Sequence, residues 1–151
     1  MKQKYFMHVL YDSPYMYVMY RDEDGYAHHT KPYADYEYHY GKLRRVDSYT
    51  HGVQNHIEGN PPTHASWYMH SRDLMEVEYH VKGCLQREDG PASRHWAPNG
   101  ILQVESWYHE GHRHRTDGPA HILYNPYTGH VTCEAYYVYG KKQAPKAAVC
   151  E

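Results

Sequence analysis

Phenylalanine is almost missing from this chain: it occurs once in 151 residues, against 19 tyrosines and 15 histidines. Ile, Leu and Val are sparse as well. A sequence this short of purely apolar bulk does not build a thick dry core. Tyr and His have apolar bodies with polar tips and cover a half-wet surface well, so the composition favours a thin sheet over a globular bundle. Cysteine is scarce too. Cys84, Cys133 and Cys150 are an odd number with no C-x-x-C spacing, which argues against a disulfide framework or a zinc ribbon. With no secretory signature in MKQKYFMHVL, reduced thiols and a cytoplasmic location (that of the host cell, were the protein viral) are expected. No run approaches the roughly 18 apolar residues of a spanning helix, so no membrane association is expected. Eleven Gly and nine Pro leave no room for a long helix.

An excess of charge of one sign is also lacking. The formal net charge is −2 with His neutral, too small to gather phosphate backbones or to imitate DNA. Protonation of the histidines below about pH 6.5 would turn the chain basic. At 151 residues, a single domain is the length-based expectation.

What is present is repetition. REDGPAS begins at Arg87 and RTDGPAH at Arg115, 28 positions on. Between them NGILQVESWYHEG (Asn99 to Gly111) corresponds to TGHVTCEAYYVYG (Thr128 to Gly140), one residue further apart. Weaker copies precede these: VEY at Val77, VDSY at Val46, HIEGNPP at His56 and DGYAH at Asp24. A shared period, shared turns and shared aromatics identify about four units, the first with an insertion.

Each unit holds two candidate strands divided by turn chemistry. ASRHW and ILQVESWY alternate in strand fashion, and Asn99-Gly100 between them is the dipeptide of a type I′ hairpin, which needs positive φ at both residues. Asp89-Gly90-Pro91 and Asp117-Gly118-Pro119 read as the turns that launch the next unit, with Gly freeing φ and Pro excluding helix. A lone hairpin is marginal in water, so successive hairpins must pair or stack. The expected fold is all-β: an elongated, twisted antiparallel meander of about four hairpins of roughly 28–35 residues. Residues 1–23 would form N-terminal strands or a cap, 24–140 the repeats, and 141–151 a tail that frays or makes a short helical turn.

The pattern G-x-x-H/Q-R-x-D-G-P-A, followed by an aromatic strand, N-G and E-x-W-Y-x-x-G, resembles a MORN-like repeat. Its HRxDGPA form is similar to repeats of bacteriophage and giant-virus proteins and of antitoxin-like bacterial proteins. The two clear copies cover Gly83 to Gly140, and the weaker ones extend to about residue 24. Gln86 replaces His114 of the motif in one copy, and HIEGNPP lacks its Arg and Asp. The resemblance implies a viral setting and no particular activity.

Four functional readings compete. His109, His112 and His114 lie within six positions and are weak candidates to clasp a metal, but His is so common here that clusters arise by accident. His114, Arg115 and Asp117 could act as base, anion clamp and orienter. An Arg and an Asp two residues apart serve equally well as an ion pair fastening a turn, and Ser106, Cys84 and Cys133 lack a nucleophile elbow. Aromatics on an open sheet could stack single-stranded bases, but the densest basic run, Lys42 to Arg45, is surrounded by acids. The fourth reading fits best: a non-catalytic protein-binding module without cofactor, whose surplus Tyr and Trp supply hot-spot residues. Candidate contacts are Tyr15, Tyr17, Trp67, Tyr68, Trp96, Trp107, Tyr108, Tyr136 and Tyr137, some of which must instead be core. In YDSPYMYVMY, Tyr15, Tyr17 and Met19 face one side of a strand and Met16, Val18 and Tyr20 the other, either as a core strand or as an edge awaiting a partner. The partner expected from the viral resemblance is a host defence or nucleic-acid-processing protein that the chain inhibits. The alternative is a structural, oligomer-forming virion component.

Overall fold

The computed structural model of the chain describes residues 4, 6–28, 33–50, 52–54 and 61–144. The weak copy at His56 to Asn60 and the tail from residue 145 lie outside them. Fifteen strands follow in order: β1 Phe6–Asp12, β2 Tyr15–Arg21, β3 Asp35–His39, β4 Lys42–Asp47, β5 His64–Trp67, β6 Leu74–Glu78, β7 His80–Val81, β8 Cys84–Leu85, β9 Ser93–Trp96, β10 Leu102–Ser106, β11 Tyr108–His109, β12 His112–Arg113, β13 His121–Tyr124, β14 Val131–Val138 and β15 Lys141–Gln143. Eleven of them form one open antiparallel sheet in the order β1-β2-β3-β4-β5-β6-β9-β10-β13-β14-β15, and β7–β8 and β11–β12 are separate short hairpins. The fold is therefore all-β and a meander. The sheet does not stop at residue 140: Lys141–Gln143 pair with Tyr136–Val138, so the helical turn expected there begins as a strand instead.

The repeat has a structural register sharper than its sequence. Ala34, Thr63, Ala92 and Ala120 are equivalent positions, 29, 29 and 28 residues apart, and all are almost wholly buried. Each donates its N–H to the second strand of its own hairpin further along the chain, at the carbonyls of Asp47, Glu78, Ser106 and Ala135 respectively. Each also accepts through its own carbonyl from Tyr20, Ser48, Tyr79 or Trp107. Three of the four are Ala, and in the remaining unit Thr63 fills the place, its hydroxyl donating to Glu78 C=O at 3.0 Å. Beside the sheet the short hairpins form a ladder of their own. The N–H groups of Gly52, Gly83, Gly111 and Gly140 donate to the carbonyls of Ala27, Gln54, Leu85 and Arg113, each two residues past the preceding turn glycine, at 2.9–3.0 Å. Each unit thus fastens to its neighbour twice, as stacked repeats must when no unit buries enough alone.

The type I′ turns lie at these closing glycines and not where the dipeptide Asn99-Gly100 suggested. Lys82-Gly83, Glu110-Gly111 and Tyr139-Gly140 have positive φ at both residues, as does Tyr40-Gly41 between β3 and β4. At Ala97–Ile101 only Gly100 is left-handed, with φ 79°. Pro98 accounts for the difference. Its fixed negative φ makes Pro98-Asn99 the corners of a type I turn, closed by Gly100 N–H on Ala97 C=O at 2.9 Å, and Gly100 takes the bulge position.

Directly paired residues share a face. Tyr36, Val46, Ala65 and Val77 form one row across β3 to β6, continued by Arg94, Glu105 and Ile122. The adjacent row, on the opposite face, is polar: Asp35, Asp47, His64, Glu78, Ser93, Ser106 and His121. The core sits on the first face, where Val46, Ala65 and Val77 are packed by Tyr33, Tyr36, Trp67, Leu74, Tyr79 and Trp96. Among the described residues nothing larger than Val46 is fully buried, which is the thin core expected from the shortage of Ile, Leu and Phe.

Candidate functional site

The two heptapeptides meet across one open groove of about 670 Å³, walled by Arg87, Asp89, Arg94, Trp107, His109, His114, Arg115 and Asp117. Within it each turn is built alike. Arg87 Nε donates to Asp89 Oδ1 at 2.6 Å, and Arg115 Nε to Asp117 Oδ1 at 2.8 Å. The two guanidiniums lie over the rings of Tyr79 and Trp107, 4.0 and 4.1 Å from their centres. The ion pairs therefore fasten the turns, and cation–π contact ties each turn to the preceding strand. Gly90 and Gly118 are present for a reason other than the expected freedom of φ, since neither has a positive value. A Cβ at Gly118 would stand 3.0 Å from Arg115 Cζ, and one at Gly90 3.5 Å from Arg87 Cζ. At Gly118 the glycine makes room for the arginine, whereas at Gly90 a methyl would make only ordinary contact with it. Pro91 is buried behind Gly90, and Pro119 C=O accepts from Arg115 Nη1 at 3.3 Å.

The third arginine of the groove, Arg94, donates to Glu105 Oε1 at 2.8 Å. Glu105 also accepts from Tyr124, whose phenol is pushed up to about 12 by burial and this hydrogen bond. Every arginine in the groove thus has its carboxylate, and the groove has no surplus positive charge. Of the three candidate histidines, His109 and His114 come together, their rings 5.6 Å apart against Tyr139. His109 and His112 pair across β11–β12, His112 packs on Gly140, and His114 Nδ1 accepts the Tyr139 N–H at 3.1 Å. Among the described residues no group of three His, Cys, Asp or Glu is placed to hold a metal ion. Ser106 Oγ is hydrogen-bonded to His121 Nδ1 at 2.8 Å, while Cys84 and Cys133 are exposed thiols.

The nine aromatics singled out as contacts are all half-buried. Trp67 and Trp96 pack on the core, Tyr68 Oη donates to Trp96 C=O at 2.8 Å, and Trp107 lies under Arg115. Tyr15 stacks on Tyr17, and Tyr137 lies beneath Arg113. Tyr136 donates to Glu134, and Tyr108 pairs with Arg113 across β11–β12. YDSPYMYVMY resolves into the end of β1, a turn and β2. β2 lies inside the sheet, between β1 and β3, with the alternation anticipated for it.

Among the described residues β1 is an edge strand, and it carries five exposed large apolar side chains. Phe6, Met7, Val9, Leu10 and Tyr11 are 45–75 % exposed. Its backbone is half unpaired in a readable way. Tyr20 N–H donates to Ala34, so even residues of β2 face β3 and odd ones face β1. Their partners Phe6, His8, Leu10 and Asp12 therefore point their backbone groups inward. Met7, Val9 and Tyr11 present their N–H and C=O groups to the free edge. Their side chains extend the row of Tyr20, Val18 and Met16. The opposite edge, β15, is Lys141-Lys142-Gln143, short and charged as protected edges are. The one signal of β1 in the sequence was the near-chargeless run FMHVLYD, which precedes the repeat and so carries none of its motif.

A buried polar cluster on the sheet gave no sequence signal at all. His64 Nδ1 donates to Asp47 Oδ1 at 2.8 Å, and Arg45 Nε donates to Asp47 Oδ2 at 2.7 Å. Burial would raise the Asp47 carboxyl, but these two hydrogen bonds outweigh it and hold it below the ordinary value. Burial and the neighbouring Glu76 push Glu78 up, while burial and then His64 push His80 down.

Compared with protein-family models, with curated proteins and with solved structures, the chain matches none.

Proposed function

We propose that this chain is a non-catalytic protein-binding module that takes its partner by strand addition along β1. The observation that carries the reading is the edge at Met7, Val9 and Tyr11, without a backbone partner among the described residues and rich in exposed apolar side chains. An added strand would close these six backbone groups, each bond contributing about 0.5–1.5 kcal/mol net, while the exposed side chains supply hydrophobic anchors. By the resemblance to viral HRxDGPA repeats, the partner is a host defence or nucleic-acid-processing protein, which the bound chain blocks. The same edge also supports the alternative, a structural role in which copies of the chain join.

Val9→Pro tests the reading, because the Val9 N–H points outward and its loss spares the β1–β2 ladder. Tagged wild-type protein is expected to retain a stoichiometric partner from host lysate and Val9→Pro to lose it, with circular dichroism and Tm preserved. Retention of the same partner by folded Val9→Pro would end the strand-addition reading. Sedimentation separates the alternative: concentration-dependent dimers or larger species of wild type, abolished in Val9→Pro, identify self-association.

A further inference from the structure

The run Lys42 to Arg45, one of the sequence's few basic features, takes on a new aspect in three dimensions. The β3–β4 turn and the loop between β5 and β6 bring Lys42, Arg44, Arg72, His39 and His70 around one small pocket of about 170 Å³, and no carboxylate lines it. An adjoining depression of about 410 Å³ shares Lys42, Leu43 and Arg72 with it and reaches Trp67. Five other arginines, Arg21, Arg45, Arg87, Arg94 and Arg115, each have an ion pair, and Arg113 lies over the Tyr137 ring. Among the described residues Arg44, Arg72 and Lys42 have no ion pair, although Arg44 is half-buried. His39 is about nine-tenths buried in the wall, and its ring touches Tyr15 and Tyr40 but has no hydrogen-bond partner among the described residues. Arg72 is held in the left-handed region at φ 64°, closed by its N–H on Tyr68 C=O, which fixes where this guanidinium departs from the loop.

Three permanent cations without a counter-charge, in a chain of net charge −2, call for an anion. The planar fork of Arg matches phosphate oxygens two at a time, and Lys adds a point charge. Tyr40, 76 % exposed, and Trp67 in the joined depression offer ring surfaces next to the cations. We propose that this corner is a binding site for a phosphate monoester carried on a planar ring, a small ligand of the mononucleotide class. The phosphate sits among Lys42, Arg44 and Arg72, and the ring lies along the aromatic depression. The site is separate from the β1 edge, so Val9→Pro leaves it intact.

Titration of the isotope-labelled full chain with inorganic phosphate, adenosine and adenosine monophosphate, followed by amide shifts in NMR, tests it. Saturable shifts clustered at residues 39–44 and 68–72 are expected with the monophosphate, weaker ones with phosphate, and the weakest with adenosine. Added salt should weaken the first two. Arg72→Gly removes the cation while suiting the left-handed backbone, so it should keep or raise Tm and weaken monophosphate binding roughly tenfold or more. Arg44→Gln should do the same without a backbone change. Adenosine binding as tightly as its monophosphate, shifts scattered over the surface, or unchanged affinity in both folded variants would overturn the assignment.

Discussion

Changing Gly90, Gly118 and Gly111 to alanine, one at a time, separates two reasons for which the repeat keeps glycine. Gly90 and Gly118 hold the same place in successive DGPA turns with ordinary φ, whereas Gly111 is a type I′ corner at φ 76°. Alanine at a compatible site stabilises by about 0.4–1 kcal/mol, because the unfolded chain loses freedom. At Gly90 the new methyl meets Arg87 at 3.5 Å, ordinary contact, so that gain should survive nearly whole. At Gly118 it meets Arg115 at 3.0–3.3 Å and must displace the guanidinium. What is then lost is a mostly exposed ion pair, worth about 0–1 kcal/mol, and a cation–π contact worth about 0.5–1 kcal/mol. The net for Gly118→Ala is a change from near zero to about 1 kcal/mol destabilising. Gly111→Ala meets only Cys84 at 3.6 Å, so its loss of about 1 kcal/mol is backbone strain alone. Urea unfolding at unchanged m gives the three values, and a cycle with Arg115→Ala supplies the decisive number. The effect of Gly118→Ala should turn favourable once Arg115 is gone, and that of Gly111→Ala should not move. Absence of coupling between positions 115 and 118, or Gly90→Ala proving the worst of the three, would refute this account of the turn.

Further outcomes follow from the same structure. Ala92→Val and Ala120→Val insert bulk where exposure is zero and should each lower stability by about 1–3 kcal/mol in urea melts. Val46→Ala, in the centre of the thin core, should lower it by about 1.5 kcal/mol or more, the transfer loss of two methylene-sized groups. His80 and His121 both have pKa values depressed in the fold, chiefly by burial, so they bind protons more readily when unfolded. Their contribution is present above the unfolded value of 6.5 and is lost as pH falls below it, so Tm should fall between pH 7.5 and 5.5. The double variant His80→Gln/His121→Gln should show a smaller fall; an equal one would show that other groups govern the acid response.

Neighbouring repeats in this fold touch only each other, through the sheet and through the ladder of short hairpins. Stability therefore accumulates along the stack, and the end units have the fewest contacts. Among the described residues β1 is the last strand at one end of the sheet, paired only with β2, and β15 is the last at the other, paired only with β14.

The sequence by itself determined the architecture. Recurring DGPA and closing glycines specify chain reversals whatever surrounds them, and alternating aromatics between them can only be strands. The shortage of Leu, Ile and Phe similarly dictated a thin core. Local rules were weaker where two signals competed within a few residues: Pro98 outranked Asn99-Gly100 in choosing the turn, because a ring-locked φ is not negotiable. The role of Gly118 was illegible, because it depends on where a guanidinium three residues earlier comes to rest. Only tertiary structure decided which aromatics are used up as cover. Trp107 and Tyr79 look as free in the sequence as Tyr11, yet each lies beneath an arginine from the following turn. The same holds for the two surfaces left open. The free edge of β1 and the uncompensated cations at Lys42, Arg44 and Arg72 arise from which strands and loops become neighbours, a long-range outcome that no local pattern encodes.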